Sequence, residues 1–276
     1  MSMVIVTGAS TGIGAATARE LASRGFHVLA GVRKEADAET FRGSGIEPVI
    51  LDITEPRHIA ALAARVSDEP LHALVNNAGV GLFAPLETVP INELRWVFEV
   101  NLFGTVAITQ AVLPALLRTR GRVVNISSVA GKVALPGWSP YAGPKFAVEA
   151  VTDSLRREMA PHGVQVVAVE PGFVNTERIG QGEAHRLTDQ LTPEQRGRYG
   201  GLMHALASYG AAATKTAAST ADAARVIARA VTHPRPRTRY TVGRGMGVFT
   251  RMADILPDRI FDRVVASSLR PHYPKA

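Results

Sequence analysis

Short apolar runs alternate with segments of helical hydrophobic spacing along most of this chain. Such alternation is typical of an α/β fold in which helices cover both faces of a doubly wound parallel sheet. Runs rich in β-branched residues predict strands near residues 3–7, 26–32, 47–51, 71–76, 121–127, 163–170 and 238–242. Helical spacing predicts helices near residues 12–24, 35–43, 55–66, 90–98, 102–118, 141–160 and 220–232.

The first predicted strand runs directly into a glycine-rich turn. Thr7 ends the strand, and helical spacing follows until Gly25. Strand, turn and helix in this order are the context of a dinucleotide site in a Rossmann-type fold, because glycines let the pyrophosphate approach the N–H groups that begin the helix. The alternative is a plain tight turn. The turn reads Gly8-Ala9-Ser10-Thr11-Gly12-Ile13-Gly14, with the spacing Gly-x3-Gly-x-Gly.

The end of the second predicted strand indicates which dinucleotide binds. Sites for NAD carry an acidic residue about 20 residues beyond the glycines, where it binds the ribose 2′-OH. Here Ala30-Gly31-Val32 is followed by Arg33, whose planar guanidinium suits a 2′-phosphate. NADP(H) is therefore the predicted cofactor. The alternative is a solvated Arg33, with Glu35 or Asp37 on the ribose.

Ser128, Tyr141 and Lys145 are the first candidate catalytic residues. Tyr141 and Lys145 are four residues apart, so on a helix they share one face and can act on one substrate atom. A phenol with a pKa of about 10 carries protons poorly at neutral pH unless a cation such as Lys145 favours the phenolate. The Tyr-x-x-x-Lys pattern alone is weak evidence of a catalytic site. The same pattern downstream of a glycine turn is strong evidence.

With these motifs in order, the chain resembles the short-chain dehydrogenase/reductase family from Met3 to about Val242. In that family, an aspartate and the next residue contact adenine, an Asn-Ala-Gly segment borders the cofactor, and a Pro-Gly segment covers the nicotinamide. A serine also stands thirteen residues before the tyrosine, as Ser128 does here. The matching positions are Asp52 and Ile53, Asn77, Ala78 and Gly79, Asn101, Ser128, and Pro171, Gly172, Val174 and Thr176.

The resemblance implies a role for each of four residues. Tyr141 is the general acid in carbonyl reduction and the base in alcohol oxidation, and Lys145 lowers the pKa of its phenol and holds the nicotinamide ribose. Ser128 orients the substrate oxygen, and Asn101 anchors a water that links Lys145 to solvent. Taken alone, Ser128 could be a strand-end cap and Asn101 a helix or turn cap.

One residue departs from the pattern of many relatives. Pro144 stands in Tyr141-Ala142-Gly143-Pro144-Lys145 where they carry serine. If Ser139 caps this helix and Pro140 begins it, Pro144 falls at the margin of the first turn. We then expect the pairing of Tyr141 with Lys145 to survive.

Composition narrows the remaining possibilities. The 276 residues are 46% hydrophobic, show no linker or repeat, and predict one domain over 1–276. No charge-poor apolar run is expected to reach the ~20 residues of a membrane span, and the first strand leaves no room for a signal peptide. There are no cysteines, and the eight histidines show no metal-binding spacing, so we expect no metal site. A cytoplasmic location is expected.

Two regions distinguish this chain from a minimal fold of the same type. Residues 173–218 are long enough to be functional, and the family implies a substrate lid there; flexible Met203 and Leu206 favour a lipophilic substrate. Residues 244–276 form a C-terminal extension with apolar residues at near-helical spacing, interrupted by Pro257.

Positive charge is concentrated at the C-terminus. Arg235 to Lys275 contains nine Lys and Arg against three acids, which is +6 of the total +7. We expect one or two helices that pack on the substrate side or on a subunit neighbour. The alternative is a basic amphipathic surface for peripheral contact with a membrane or an acidic protein. Nucleic acid is a poor candidate, because no binding motif is present.

The sequence thus predicts an NADP(H)-dependent oxidoreductase that acts on a lipophilic ketone or secondary alcohol. The chain is similar to bacterial relatives of the 17β-hydroxysteroid and retinol dehydrogenases, and a homo-oligomer, dimer or tetramer, is expected. One alternative is a β-ketoacyl-carrier-protein reductase, although such enzymes usually end soon after the last strand. The other is a non-catalytic NADP(H)-binding regulator, although such proteins commonly lack the tyrosine or the lysine.

Overall fold

The computed structural model describes residues 2–41, 45–176 and 191–274, and its centre is a seven-stranded parallel sheet. The order of strands across the sheet is β3-β2-β1-β4-β5-β6-β9. A separate pair of short parallel strands, β7 and β8, lies after the sixth strand. The strands are β1 Met3–Val6, β2 His27–Val32, β3 Ile46–Ile50, β4 Leu71–Asn76, β5 Arg122–Ile126, β6 Gln165–Pro171, β7 Val174–Asn175, β8 Ala218–Ser219 and β9 Arg239–Val242.

Helices pack on both faces of the sheet. The helices are α1 Gly12–Ser23, α2 Glu35–Ala38, α3 Pro56–Arg65, α4 Ile91–Phe98, α5 Thr105–Thr119, α6 Ser139–Met159, α7 Pro193–Thr214, α8 Thr220–Thr232, α9 Met246–Ile255 and α10 Asp258–Leu269. On one face Leu21 of α1 and Ile227 of α8 are fully buried in a shared core. On the other face Leu62 of α3 and Ile108 of α5 enter a second core. This confirms the predicted doubly wound α/β fold.

The site is positioned by the reversal of strand order between β1 and β4. The chain builds outwards from β1 to β3 on one side, then crosses over and builds from β4 to β9 on the other. The crevice at the carboxyl ends of these two strands is the usual ligand site of such sheets. Here the backbone N–H of Thr7, just after β1, bonds to the Val75 carbonyl of β4 (3.0 Å).

A buried chain of polar side chains crosses the second core. The amide nitrogen of Asn76 donates to the hydroxyl of Thr109 and to the amide oxygen of Asn125, both at 2.8 Å. The Asn125 amide nitrogen in turn donates to the Thr152 hydroxyl (2.8 Å). On the other side, Thr109 donates to the Thr105 carbonyl (2.7 Å). This polar chain ties α5, β4, β5 and α6 together at one register.

Two predicted helices differ from those observed. The helix predicted at 35–43 is only the short α2 followed by a 3-10 turn, and residues 42–43 lie outside the described residues. The helix predicted at 102–118 begins later because a π-helical turn, Glu99–Gly104, joins α4 to α5. A wide turn of this kind carries one extra residue and often marks a functional site.

The expectation that no apolar run approaches a membrane span is wrong. The continuous helical segment Ile91–Thr119 is 29 residues long and is apolar enough to cross a bilayer, by length and composition alone. Half of its most apolar window is buried inside the fold, where Ile108, Val112 and Leu116 pack in the second core. A buried core helix passes the same test, so this segment carries no argument for a membrane.

The described parts of the two distinguishing regions are largely helical. The sequence analysis predicted no helix between residues 173 and 218, but α7 lies there, and residues 177–190 lie outside the described part of the chain. The C-terminal extension forms α9 and α10, as expected, with Pro257 between them. Val265 and Leu269 of α10 pack on Val133 and Leu135 in the loop after β5. The extension therefore covers the loop that leads to α6.

Candidate active site

The glycine turn has the shape of a cradle for an anionic ligand. Gly8 (φ +62°) and Gly12 (φ +59°) adopt the left-handed conformation that favours glycine. A Cβ at Gly8 would lie 2.7 Å from the Cα of Ala78, and a Cβ at Gly14 would overlap the Gly8 carbonyl and the Asn77 amide. The backbone therefore passes closer to its neighbours than any side chain would allow.

Asn77 and Thr7 clamp this turn to the end of β4. The Asn77 amide nitrogen donates to the carbonyls of Thr7 (2.9 Å) and Gly8 (3.0 Å). The Thr7 hydroxyl oxygen accepts from the backbone N–H groups of Asn77 (3.0 Å) and Ala78 (2.9 Å). Gly79, the next residue, is exposed and borders both Asn101 and Lys145. The clamp joins the cofactor motif to the catalytic motif.

The start of α1 can bind the pyrophosphate of a dinucleotide. The side chain of Thr11, the N-cap residue, accepts no hydrogen bond from the first turn. The N–H groups of that turn are therefore available to an anion, and the helix dipole favours negative charge there. Ser10, Thr11 and Ile13 are all half-buried at this edge. Together with the glycine cradle, this geometry fits a dinucleotide.

The residues predicted at the adenosine end surround the carboxyl end of β2. Arg33 follows β2 directly and is exposed. Asp52 is half-buried and accepts hydrogen bonds from the N–H (2.9 Å) and hydroxyl (2.7 Å) of Thr54 through a single oxygen. Ile53 is buried and packs on Gly104. Glu35 is exposed in α2, two residues beyond Arg33.

The structure brings Ser128, Tyr141 and Lys145 together. The Ser128 hydroxyl donates to the Pro171 carbonyl (3.3 Å) and accepts from the backbone N–H of Ala130 (3.1 Å). The Lys145 ammonium donates to the Ile126 carbonyl (2.9 Å) and lies 5.8 Å from the centre of the Tyr141 ring. Lys145 is only 5% exposed. A buried ammonium and a phenol therefore share one face of α6.

Burial dominates the electrostatics of this pair. Desolvation lowers the pKa of Lys145 to about 8, against a smaller opposite effect of the Glu149 carboxylate. Desolvation also raises the pKa of the Tyr141 phenol, and the hydrogen bond with Ser128 lowers it in part. The net direction for the pKa of Tyr141 is opposite to the lowering that the family resemblance implies, because desolvation of the buried phenol outweighs its hydrogen bond with Ser128.

Asn101 lies inside the π-helical turn, with 1% of its surface exposed. Its amide oxygen accepts from the N–H of Val80 (2.8 Å), and its amide nitrogen donates to the Val80 carbonyl (2.8 Å). Its backbone carbonyl accepts from the Thr105 hydroxyl (3.2 Å). The side chain thus fixes the loop that follows β4 beside the catalytic helix.

Helix α6 begins at Ser139, two residues before the predicted helix 141–160 and one before the start at Pro140 that a Ser139 cap would give. Trp138 is its N-cap residue, and Ser139 is its first helical residue, so Pro144 lies in the second turn and not at the margin of the first. Proline has no N–H to donate, so one helical hydrogen bond is missing there. The face shared by Tyr141 and Lys145 is nevertheless kept.

The Pro-Gly segment after β6 closes the site from the other side. Pro171 is buried and accepts the Ser128 hydrogen bond, and Gly172 packs against Met246 of α9. Val174 is buried in β7, and Thr176 reaches the glycine turn, where its methyl group would lie 3.4 Å from a Cβ at Gly12. The segment after β6 therefore borders both the catalytic Ser128 and the glycine turn.

A file of aromatic rings beside Tyr141 was not predicted from the sequence. Successive ring centres are 5.2 to 6.0 Å apart. Phe83 and Trp138 lie outside the sequence motifs, Phe173 lies within the Pro-Gly segment, and Tyr209 comes from α7. The only sequence signal for α7 was its N-terminal capping box, Thr192 with Gln195. The file consists of Tyr141, Phe83, Trp138, Phe173 and Tyr209.

The fold and this crevice together define a nucleotide-binding oxidoreductase of the Rossmann type. The profile of the short chain dehydrogenase family matches residues 2–186. The chain is 34% identical over 266 residues to the uncharacterized oxidoreductase YbbO of Escherichia coli, covering 95% of this chain and 93% of that protein. It is 35% identical over 281 residues to retinol dehydrogenase 5 of Mus musculus, covering 96% and 87%.

A solved structure agrees with these relatives. The short chain dehydrogenase from Burkholderia cenocepacia in complex with NADP superimposes with a TM-score of 0.74 at 27% identity, covering 97% of each chain. The present chain belongs to the short-chain dehydrogenase/reductase family. It is an oxidoreductase that uses a nicotinamide cofactor and acts on a small molecule.

Proposed function

We propose that this enzyme interconverts a lipophilic ketone and its secondary alcohol with NADP(H). The aromatic file beside Tyr141 is the observation that carries the substrate class. Phe83 lies 5.2 Å from the Tyr141 ring, and Trp138 and Phe173 extend the wall towards α7. Aromatic walls with few polar groups bind apolar ligands. The name of the mouse relative, a retinol dehydrogenase, is consistent with this class.

The chemistry requires one hydride and one proton, and the nicotinamide cofactor, when bound, supplies or accepts the hydride. In reduction, Tyr141 donates its phenolic proton to the carbonyl oxygen; in oxidation, its phenolate accepts the proton of the alcohol. Ser128 hydrogen-bonds to the same oxygen and orients it. Lys145 stabilises the phenolate by its positive charge and holds the ribose. Asn101 fixes the backbone beside Lys145, where a water would relay protons to solvent.

The proposal of NADP(H) rests on Arg33 and on the absence of an acid at the end of β2. The NADP in the Burkholderia relative supports it. We expect about tenfold or stronger preference for NADP(H), because one charge-assisted hydrogen bond contributes about 1.5–3 kcal/mol. Arg33→Ala should remove most of that preference and leave the affinity for NAD(H) nearly unchanged, as measured by cofactor titration of protein fluorescence.

Glu35→Gln provides the matched control for that substitution. If Glu35 bound the ribose, its loss would weaken NAD(H), whereas our assignment predicts no change. Equal affinity of the parent enzyme for both cofactors would contradict the assignment of Arg33.

The proposed lid, 173–218, and the C-terminal extension together enclose the substrate in this proposal. Tyr209 of α7 and Phe261 of α10 both pack on the cluster formed by Val133 and Leu135. Removing residues beyond Gly243 would uncover that cluster. We expect the KM for large hydrophobic carbonyls to rise about tenfold, since each buried methylene contributes ~0.8 kcal/mol, while small substrates and NADPH binding change little.

The same truncation tests the alternative of a membrane surface. Val248, Ile255 and Ile260 are exposed apolar residues of the extension, and Arg251 and Arg259 are exposed close to them in the chain. If the extension serves only a membrane, truncation abolishes co-sedimentation with anionic vesicles and leaves KM unchanged. That outcome would overturn the proposed role in substrate closure.

Two further proposals concern partners. Phe103, in the π-helical turn before α5, is 54% exposed, and Phe146, in α6, is 44% exposed. We propose that a second copy of the chain covers these two side chains in a dimer or tetramer.

A β-ketoacyl-carrier-protein reductase is the second candidate activity, since the basic extension suits an acidic carrier protein. The aromatic wall favours the lipophilic carbonyl.

A further inference from the structure

Helix α6 carries a buried carboxylate that the proposed chemistry does not use. Glu149 lies one helical turn after Lys145 and is only 5% exposed. Buried carboxylates are costly unless they are paired with cations and hydrogen bonds. The cost of burying the Glu149 carboxylate must therefore be offset by the groups around it.

Glu149 belongs to a cluster of ionisable groups contributed by α6, the strands β6 and β9, and the loop after β5. Its Oε2 accepts a hydrogen bond from Nε of Arg239 on β9 (3.0 Å), and Nζ of Lys132 lies 4.0 Å away. The same Arg239 pairs with Glu170 on β6 (3.2 Å) and with Asp153 on α6 (2.8 Å). One guanidinium is thus shared among three carboxylates.

The remaining contacts show how each carboxylate is balanced. Asp153 is also paired with Arg156 (3.1 Å) and Arg157 (3.9 Å) at the half-exposed end of the cluster. Glu170 accepts from the Thr241 hydroxyl (3.3 Å), and burial together with the Glu149 charge raises the pKa of its carboxyl group. Asp153 therefore has cations of its own, and Glu170 binds its proton more tightly than usual.

Glu149 differs from Asp153 because one of its carboxylate oxygens is unused. Within residues 2–41, 45–176 and 191–274, Oε1 of Glu149 is buried and has no hydrogen-bond partner; Oε1 of Glu170 likewise has no hydrogen bond there, although it lies 3.2 Å from Nε of Arg239. The Glu149 side chain packs around Gly131 together with the Lys145 carbonyl: a Cβ at Gly131 would lie 3.1 Å from Cγ of Glu149 and 2.9 Å from that oxygen. Glu149 and Lys145, four residues apart, therefore lie on the same buried face of α6.

We infer that Glu149 is a positioning residue for the reaction, whose carboxylate keeps the Lys145 ammonium charged at physiological pH. This inference rests on the proposed role of Lys145. The balance is close, because burial opposes the charge on Lys145 and the cations Arg239 and Lys132 weaken the field of Glu149. The Tyr141 ring lies 5.8 Å from the Lys145 ammonium, and the side chains of Asn101 and Lys145 both border Gly79. Glu149 is the carboxylate that raises the pKa of Lys145.

The titration of Lys145 can be measured without any turnover. The chain has five lysines, so the side-chain resonances of isotopically labelled lysine are few, and Lys145→Met assigns the signal of interest. We expect Glu149→Gln to lower the pKa of Lys145 by about one unit, the scale of one charge interaction in a partly screened interior. Asp153→Asn is the matched control, because it removes another Arg239 partner, two turns from Lys145, and should leave that pKa in place.

The pH dependence of carbonyl reduction provides the second measurement. Reduction falls as pH rises through the pKa of Lys145, so the alkaline limb of kcat/KM should move to lower pH in Glu149→Gln and stay in Asp153→Asn. A uniform loss at every pH, or an unmoved lysine signal, would mean that Glu149 only stabilises the fold, and it would overturn the inference. If the parent enzyme reduces no carbonyl, the proposed function fails while the lysine titration still tests Glu149.

Discussion

Replacing Tyr141 by phenylalanine is expected to reduce turnover by a factor of about 100 or more, the usual scale of general acid–base catalysis. The substitution removes only the hydroxyl that would exchange the proton with the substrate oxygen. The ring stays, so its packing against Phe83 and its place over Lys145 are kept. Steady-state kinetics with NADPH and a hydrophobic ketone measures the loss.

Binding of NADPH should survive in that variant, because the glycine cradle and Arg33 are untouched. Tyr199→Phe is the control: it makes the same chemical change at a side chain bonded to Glu87, on the exposed surface of α7. Turnover in Tyr141→Phe within a few-fold of the parent would show that another group supplies the proton.

Gly14→Ala is expected to weaken cofactor binding by about 100-fold, the upper end of what 1–3 kcal/mol of overpacking produces. A methyl group there would overlap the Gly8 carbonyl and the Asn77 amide nitrogen at well under 3.0 Å. Both groups belong to the clamp that holds the turn, so no flexible side chain can move aside. The cradle itself must open.

Titration of the variant with NADPH, alongside its thermal unfolding, separates lost binding from lost folding. Gly210→Ala is the matched control, because a Cβ at Gly210 of α7 meets no atom within 4 Å. It should bind cofactor normally and gain slightly in stability, since alanine favours a helix. Normal NADPH affinity in Gly14→Ala would mean that the pyrophosphate binds elsewhere.

The parts of this molecule that could be predicted from sequence are those set by local constraints. The strands β1 to β6 are short apolar runs, and Gly8 and Gly12 need a backbone conformation that other residues rarely adopt. The pairing of Tyr141 with Lys145 follows from helical geometry alone. For the same reason, the predicted bounds of these strands agree with the structure to within one or two residues.

The parts that could not be predicted depend on distant contacts. The π-helical turn exists where Asn101 bonds to Val80, which is 21 residues away in the chain. Arg239 meets Glu149 across 90 residues, so no local pattern indicates the pair. Only Ala205 is buried among the residues of α7, so this helix needs no apolar face. Its sequence accordingly shows almost no amphipathic pattern. The capping box of Thr192 and Gln195 was the sequence signal from which the start of this helix could have been predicted.

The buried polar chain from Asn76 has a consequence for how this scaffold can be redesigned. Apolar helices can slide past one another at small cost, but an amide bonded to both a hydroxyl and a second amide accepts only one alignment. Contacts within the core therefore set the spacing between the segments that carry Asn101 and Lys145. Neither α7 nor the C-terminal extension takes part in those contacts. We therefore expect variants with altered outer segments to change substrate choice more than the alignment of Asn101 with Lys145, provided that the contacts of Met246 with Gly172 and of α10 with the loop before α6 are kept.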